Sequence, residues 1–435
     1  MWRRRPRPRE FSCGADTPVR ENSRYRETLN GKGTTFSRAA SFATGIGIIA
    51  SRVPVLKLSL LMVALFAYLL PASSAQPVRP QVGSASEFKV GRTFRKFTPP
   101  DKSYNWRGAK THALVATVWY PAAASAVEHP TDIPGMSQIF FLGSDAEDAN
   151  LASAPAKFPM IVLSHGTGGS ALTLAWLGTV LAAYGYIAVA VNHPGNNGSD
   201  GYTALGFSTW WERARDLSVV IDSMLADPMF ASHIDASRIG AAGFSLGGYT
   251  MIEIFGGITD VAAYKQFCAS PQADNICKSP PEFPTLVEDF NNLSKNDADF
   301  QSALHHSGDS YRDPRIRAVF AIAPALGPAF RPASLDKINI PVMIVAGQGD
   351  MNVPIASSAK YLAANIPGAK LTIFPGNVAH YTFLDTCTEA GRKKLTLLCT
   401  DGEGVDRDAI HAKTAALAVE FFTSVLSPQF SPGQH

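Results

Sequence analysis

The stretch Arg238-Ile239-Gly240-Ala241-Ala242-Gly243-Phe244-Ser245-Leu246-Gly247-Gly248 constrains the fold more than any other part of the chain. An apolar strand ends here, turns sharply and opens at once into an apolar helix, Leu246–Phe255. Such a turn closes only if its two arms touch. Gly243 and Gly247, each two residues from Ser245, carry no side chain to hold the arms apart. The segments on either side repeat the same alternation. Strands are expected at Phe88–Phe97, Thr111–Tyr120, Pro159–Ser164, Tyr186–Val191, Arg317–Ala323, Ile340–Ala346 and Lys370–Phe374. Helices are expected at Ala171–Tyr184, Ser208–Ala226, Ala356–Asn365 and Asp406–Leu426. Short, continuously apolar strands alternating with helices describe an α/β fold, with a mostly parallel central sheet covered by helices on both faces.

One segment breaks this rhythm. Residues 256–314 are polar and lie between a helix and the next strand, too long for a plain connection. They read as a lid-like insertion in a single domain spanning residues 76–435. Residues 1–75 are different in kind. Leu58–Leu70 is a run of thirteen apolar or small residues, preceded by Arg52 and Lys57 and followed by Pro-Ala-Ser-Ser-Ala. That pattern describes a signal peptide cleaved between Ala75 and Gln76. The run is shorter than a membrane span of about 18 residues. The expectation is an exported chain, periplasmic or extracellular, with no membrane span once the leader is removed.

Charge supports the division. The whole chain has 39 Lys and Arg against 36 Asp and Glu, but residues 1–75 hold 12 and 4 of these. The remaining residues are net acidic, which argues against a nucleic-acid partner. Four cysteines follow the leader: Cys268, Cys277, Cys387 and Cys399. An even count in an exported chain suggests two disulfides. Of three connectivities the local pairs, 268–277 and 387–399, close the shortest loops and are preferred.

The serine at the turn carries the chemistry. Gly-Phe-Ser-Leu-Gly between strand and helix is a nucleophile elbow in its required context. A serine hydroxyl attacks poorly near neutral pH unless a base, itself oriented by a carboxylate, takes its proton. In this arrangement the partners follow in the order Ser, Asp, His. Asp350 leaves the strand Ile340–Ala346 at its C-terminal end, where open α/β sheets bind ligands. His380 lies in the loop after the next strand. Ser245, Asp350 and His380 are therefore the candidate catalytic residues. Negative charge developing on the substrate oxygen needs two backbone N–H groups. Leu246, after the nucleophile, is one candidate donor. Thr167, in the glycine-rich loop His165–Ser170, is the other.

The remaining candidates are weaker in signal. His193 closes the strand Tyr186–Val191 near the site, and Trp210 and Trp211 (with Phe207) sit on a nearby helix; these are read as pocket wall. His305 and His306 read as solvated, His411 as satisfied by a neighbour, and His112, His129 and His233 as surface residues. No spacing argues for a metal, and no phosphate-binding loop is present, so no cofactor is expected. The substrate class is a small-molecule or lipid ester, with a short-chain or lipid-like acyl group. An amidase or peptidase would use the same three residues, and a non-catalytic binding module would be expected to lack one of them. Oligomeric state is open.

Five motifs together resemble the α/β-hydrolase superfamily: SHGTGGS at 164–170, VNHPGNNGSD at 191–200, GFSLGG at 243–248, AGQGD at 346–350 and VAHYTFLDTC at 378–387. Within it the chain resembles exported bacterial proteins identified as predicted dienelactone hydrolases, related to platelet-activating-factor acetylhydrolases. The resemblance covers most of residues 86–426. It departs from the first group in having Ser245 where true dienelactone hydrolases use cysteine. It departs from the animal acetylhydrolases in having Ala323-Pro324-Ala325, without a carboxylate, where they place the acid. That strengthens Asp350 in the role.

Overall fold

The computed structural model describes residues 88–427. The leader, its cleavage site at Ala75 and Cys13 lie outside the described residues. Eight strands build the central sheet: β1 (Lys89–Phe97), β2 (Leu114–Ala122), β3 (Phe158–Ser164), β4 (Ile187–Val191), β5 (Ile234–Phe244), β6 (Ile316–Ile322), β7 (Val342–Gly347) and β8 (Lys370–Phe374). Their order across the sheet is β1-β2-β4-β3-β5-β6-β7-β8, and two short segments, Ser144–Glu147 and His129–Pro130, extend the β1 edge. β2 runs antiparallel to β1 and β4; from β4 to β8 every pair is parallel. This is the α/β-hydrolase fold that the resemblance implies, with the mostly parallel sheet expected from the alternation of strands and helices.

The core lies on both faces because the strands are apolar on both. Every residue of β3 and β4 is buried. Side chains alternate across a strand. Met160 and Val162 accordingly pack with Leu217, Val220 and Ile221 of α2 (Arg213–Met224). Ile161 and Leu163 face the other way, toward Leu177 and Leu181 of α1 (Ala175–Ala183) and Phe422 of the long closing helix (Arg407–Val425). Asp406 caps that closing helix by accepting from the Ala409 amide. α3 (Leu246–Ile254) is buried at all nine positions, which explains why its sequence shows no polar stripe.

Two helices begin differently from the sequence expectation. Ala171–Leu174 is a 3-10 turn before α1. The single helix expected over 208–226 is broken at Thr209, between the short helix Ala204–Ser208 and a 3-10 turn at Trp210–Glu212. Trp210 and Trp211 are both buried. Adjacent residues on a regular helix point about 100° apart, so burying both large rings in different surroundings favours a break. The Thr209 hydroxyl donates back to the Leu205 carbonyl (2.8 Å) and supports it.

Residues 256–314 form three helices, α4 (Val261–Cys268), α5 (Leu286–Asn296) and α6 (Ala298–His305). α5 and α6 fasten to the body through aromatic rings. Phe290 lies 5.8 Å from Trp210 and Phe300 lies 6.3 Å from Trp211, centroid to centroid. Cys268 is bonded to Cys277 and Cys387 to Cys399, the two local pairings. Among the described residues no helix is long and apolar enough to cross a membrane.

The Cys387–Cys399 bridge closes a loop of about a dozen residues in the unfolded chain. Such a cross-link is worth about 3 kcal/mol. Urea unfolding of a Cys387→Ala/Cys399→Ala double variant is therefore expected to show about that loss of stability. An unchanged midpoint would mean that the bridge contributes nothing to the folded domain.

Candidate active site

The parallel register brings the loops together. At the C-terminal ends of the strands Ser164 of β3 stands opposite Gly243 of β5, and Ile322 of β6 opposite Phe244. Ser245 follows immediately, with φ 57° and ψ −118°. A non-glycine residue in this region costs roughly 1–3 kcal/mol and persists only when its surroundings hold it. Here the Ser245 amide donates to Ile322 O (2.8 Å), and Ser245 O accepts from Ala325 N and Tyr249 N (both 3.1 Å). A β-carbon on Gly243 would lie 2.5 Å from Gly247 O, and one on Gly247 would lie 1.9 Å from Ser164 O. The turn needs both glycines.

The structure brings Ser245, His380 and Asp350 together. His380 Nε2 is 2.8 Å from Ser245 Oγ, and His380 Nδ1 is 2.6 Å from Asp350 Oδ2. A carboxylate only accepts hydrogen bonds. Nδ1 therefore donates to Asp350, and Nε2 is left to accept the serine proton. Asp350 Oδ1 is itself held by the Asn352 and Val353 amides (3.0 and 2.8 Å). The loops carrying Asp350 and His380 are laced together by Gly349 N donating to Val378 O (2.9 Å). The His380 loop is tied down further by Trp176 at the start of α1. Its amide donates to Asp385 Oδ1 and its indole N–H to Phe383 O (both 3.0 Å). His411 stacks on the Trp176 ring at 4.4 Å and donates to Thr382 O. The neighbour expected for His411 is therefore this tryptophan with the Thr382 carbonyl.

Leu246 follows Ser245 directly, and Thr167 lines the same cavity as Ser245 and His380. The adjacent amides are committed. Gly168 N donates to Asn196 Oδ1 (2.8 Å) and Gly169 N to Gly166 O (3.2 Å).

His193 and Trp211 do not line the pocket, which corrects the sequence reading. Both are fully buried. His193 Nδ1 is 2.7 Å from Asp216 Oδ2 and Nε2 is 2.9 Å from Ser164 Oγ. This second Ser-His-Asp set is closed off from the cavity. Arg107 binds both oxygens of Asp216 (2.7 Å each), and Tyr104 donates to the same carboxylate. Burial opposes ionisation of Asp216, but Arg107 and the donors His193 and Tyr104 outweigh it and hold its carboxyl below the usual range. Burial, reinforced by Arg213, lowers His193 to about 3, so its ring is neutral near pH 7. Arg213, lowered to about 9 by burial, keeps its charge there and donates to Ser164 Oγ and His165 O. The sequence reading missed Arg213 and Asp216, since charged residues on a helix read as a solvated face, and Arg107, which lies in a turn. Trp211 stays in the core because Phe300 of α6 covers it.

Ser245, Leu246, Thr167 and His380 open into a cavity of about 700 Å³. Trp210 and Phe207 do line it, and the insertion lines it too, through Tyr264 of α4, Phe290 of α5 and Glu282 of the segment between them. Tyr381, next to His380, donates to Glu282 Oε1 (2.9 Å). Burial and the nearby Glu282 carboxylate push the Tyr381 hydroxyl well up, so it stays a donor.

Asp385 generates a pH prediction. Burial raises its carboxyl to about 8, against about 3.9 in an unfolded chain. Between those values the native state binds the extra proton, so its stability falls as pH rises through the window. Asp385→Asn keeps the acceptor for Trp176 and cannot ionise. In urea unfolding at pH 5 and pH 8, the variant should gain on the wild type as pH rises. A difference that does not change with pH would refute a buried neutral Asp385.

Among solved structures the chain is similar to a ferulic acid esterase from Streptomyces cinnamoneus. The TM-score is 0.54 at 20% identity, over 82% of this chain and 95% of that one. None of the curated proteins matches the chain. The model of the alpha/beta hydrolase family matches residues 161–389, more than half of the chain, from β3 to beyond His380. The chain belongs to the alpha/beta hydrolase family.

Proposed function

We propose that this protein is an exported serine hydrolase that cleaves carboxylic esters. The observation that carries the reading is the unbroken relay Ser245 Oγ–His380–Asp350, with bonds of 2.8 and 2.6 Å, opening into a largely apolar cavity. In this reading Ser245 attacks the ester carbonyl while His380 Nε2 takes its proton. Asp350 holds the ring tautomer and stabilises the imidazolium. The Leu246 and Thr167 amides receive the oxyanion. The tetrahedral intermediate collapses as His380 returns the proton to the departing alcohol. A water activated by the same histidine then releases the acid. No step calls on a cofactor.

The cavity suits an uncharged acyl group of modest length or a lipid-like chain, since Trp210, Phe207 and Phe290 face it. Ester hydrolysis also agrees with the name of the solved neighbour, a ferulic acid esterase. The motif at 191–200 favours the dienelactone hydrolase and platelet-activating-factor acetylhydrolase group within the family. Export rests on the leader over residues 1–75, with two disulfides in the domain that follows. Residues 256–314 act as the lid in this reading.

Hydrolysis of p-nitrophenyl acetate, butyrate and octanoate tests the proposal. Ser245→Ala is expected to lose at least about 10³-fold in kcat, and Asp350→Asn about 10⁴-fold through the wrong histidine tautomer. Wild-type rates in Ser245→Ala would overturn the serine mechanism. Cleavage of the matching anilides at rates equal to the esters would make the protein an amidase instead.

A further inference from the structure

We propose that the buried set Arg107, Asp216, His193, Ser164 and Arg213 positions the oxyanion loop and so acts on the transition state without touching the substrate. The proposal rests on the serine-hydrolase reading given above.

Asp216 can only accept, so His193 Nδ1 must donate to it. The neutral ring then has Nε2 free to accept, and the Ser164 hydroxyl donates there (2.9 Å). The Ser164 oxygen in turn accepts from Arg213 (3.3 Å). Every bond in the chain has one possible polarity, and Arg107 fixes its far end with two bonds of 2.7 Å to Asp216. Arg213 also donates to the His165 carbonyl, one peptide from Gly166 and two residues before Thr167.

The loop is clamped from the same side along its length. His193 N donates to His165 Nε2 (3.2 Å), Asn196 Oδ1 accepts from Gly168 N, and Asn192 Oδ1 accepts from Ala171 N (2.7 Å). Gly198 N donates to Gly169 O (2.8 Å). The 191–200 segment thus contacts the loop from His165 to Ala171 while leaving the Thr167 amide uncommitted. Ser164 also has its carbonyl against Gly247, so the same residue sets the distance between the loop and the elbow. Burying charged groups is unfavourable unless they are well paired. Apolar side chains would fill this volume, but they would not set the orientation of a carbonyl. A displacement of about 1 Å at such a site is worth up to about 10²-fold in rate.

The test separates positioning from general packing. Asp216→Asn, Arg213→Met, Arg213→Lys and Ser164→Ala are compared with wild type and Ser245→Ala, using p-nitrophenyl butyrate. Two competitive inhibitors are added: a trifluoromethyl ketone, which forms an oxyanion on the serine, and its secondary alcohol, which cannot. Asp216→Asn is expected to lower kcat by 10- to 100-fold and to raise the ketone Ki by the same factor. The alcohol Ki should stay within about twofold, and Arg213→Lys should recover part of the loss seen in Arg213→Met. If Asp216→Asn does not fold, Ser164→Ala, which removes one hydroxyl, decides the matter by the same ratio of inhibitor constants. A folded variant with wild-type kcat, or one whose two Ki values rise together, overturns the proposal. An active Ser245→Ala would instead overturn the reading on which it rests.

Discussion

The contact on which the site depends is the approach of the elbow to the end of β3. Gly247 lies so close to the Ser164 carbonyl that a single added β-carbon would fall 1.9 Å from the oxygen. That distance couples two pieces of machinery. The elbow presents the Ser245 hydroxyl, and the strand end launches the loop that carries the Thr167 amide. Packing in a protein interior is close to crystalline, so a shift in either piece moves the other. The strained φ of Ser245 is the local cost of the contact, and the bonds from β6 sustain it.

Around that contact the molecule holds two Ser-His-Asp sets with opposite fates. Ser245 and His380 open into the cavity, with Asp350 buried behind the ring. Ser164, His193 and Asp216 lie behind the loop with no route to solvent. Both obey the same donor and acceptor rules. What separates a set suited to catalysis from one suited to support is access, together with the ring's charge. Burial and Arg213 hold His193 neutral at any pH where the protein would work. A histidine that cannot take a proton is a poor base and a stable strut.

The insertion shapes the pocket more than the sheet does. α4, α5 and the segment between them bring Tyr264, Phe290 and Glu282 to the cavity wall, and Glu282 reaches Tyr381 beside His380. The Cys268–Cys277 bridge closes part of that wall. The His380 loop is held from the other side by Trp176, Asp385 and His411, so His380 is positioned by α1 and the closing helix together.

The sequence by itself determined the fold class and the identity of the residues that meet at the site. Local rules suffice there: continuous apolar strands imply a sheet covered on both faces, and paired glycines around Ser245 imply a tight turn. Asp350 and His380 follow because the ends of successive parallel strands lie on one edge. The tertiary structure alone decided which side chains face the cavity. His193 and Trp211 sit one strand end or one helical residue from the pocket, yet one is paired with Asp216 and the other is covered by Phe300. Side-chain direction at such positions is set by a break at Thr209 and by the insertion's packing. Arg107, Arg213 and Asp216 read as ordinary surface charges until folding brings residues more than a hundred positions apart into one buried cluster. Burial depends on contacts between distant segments, and a local pattern carries no record of them.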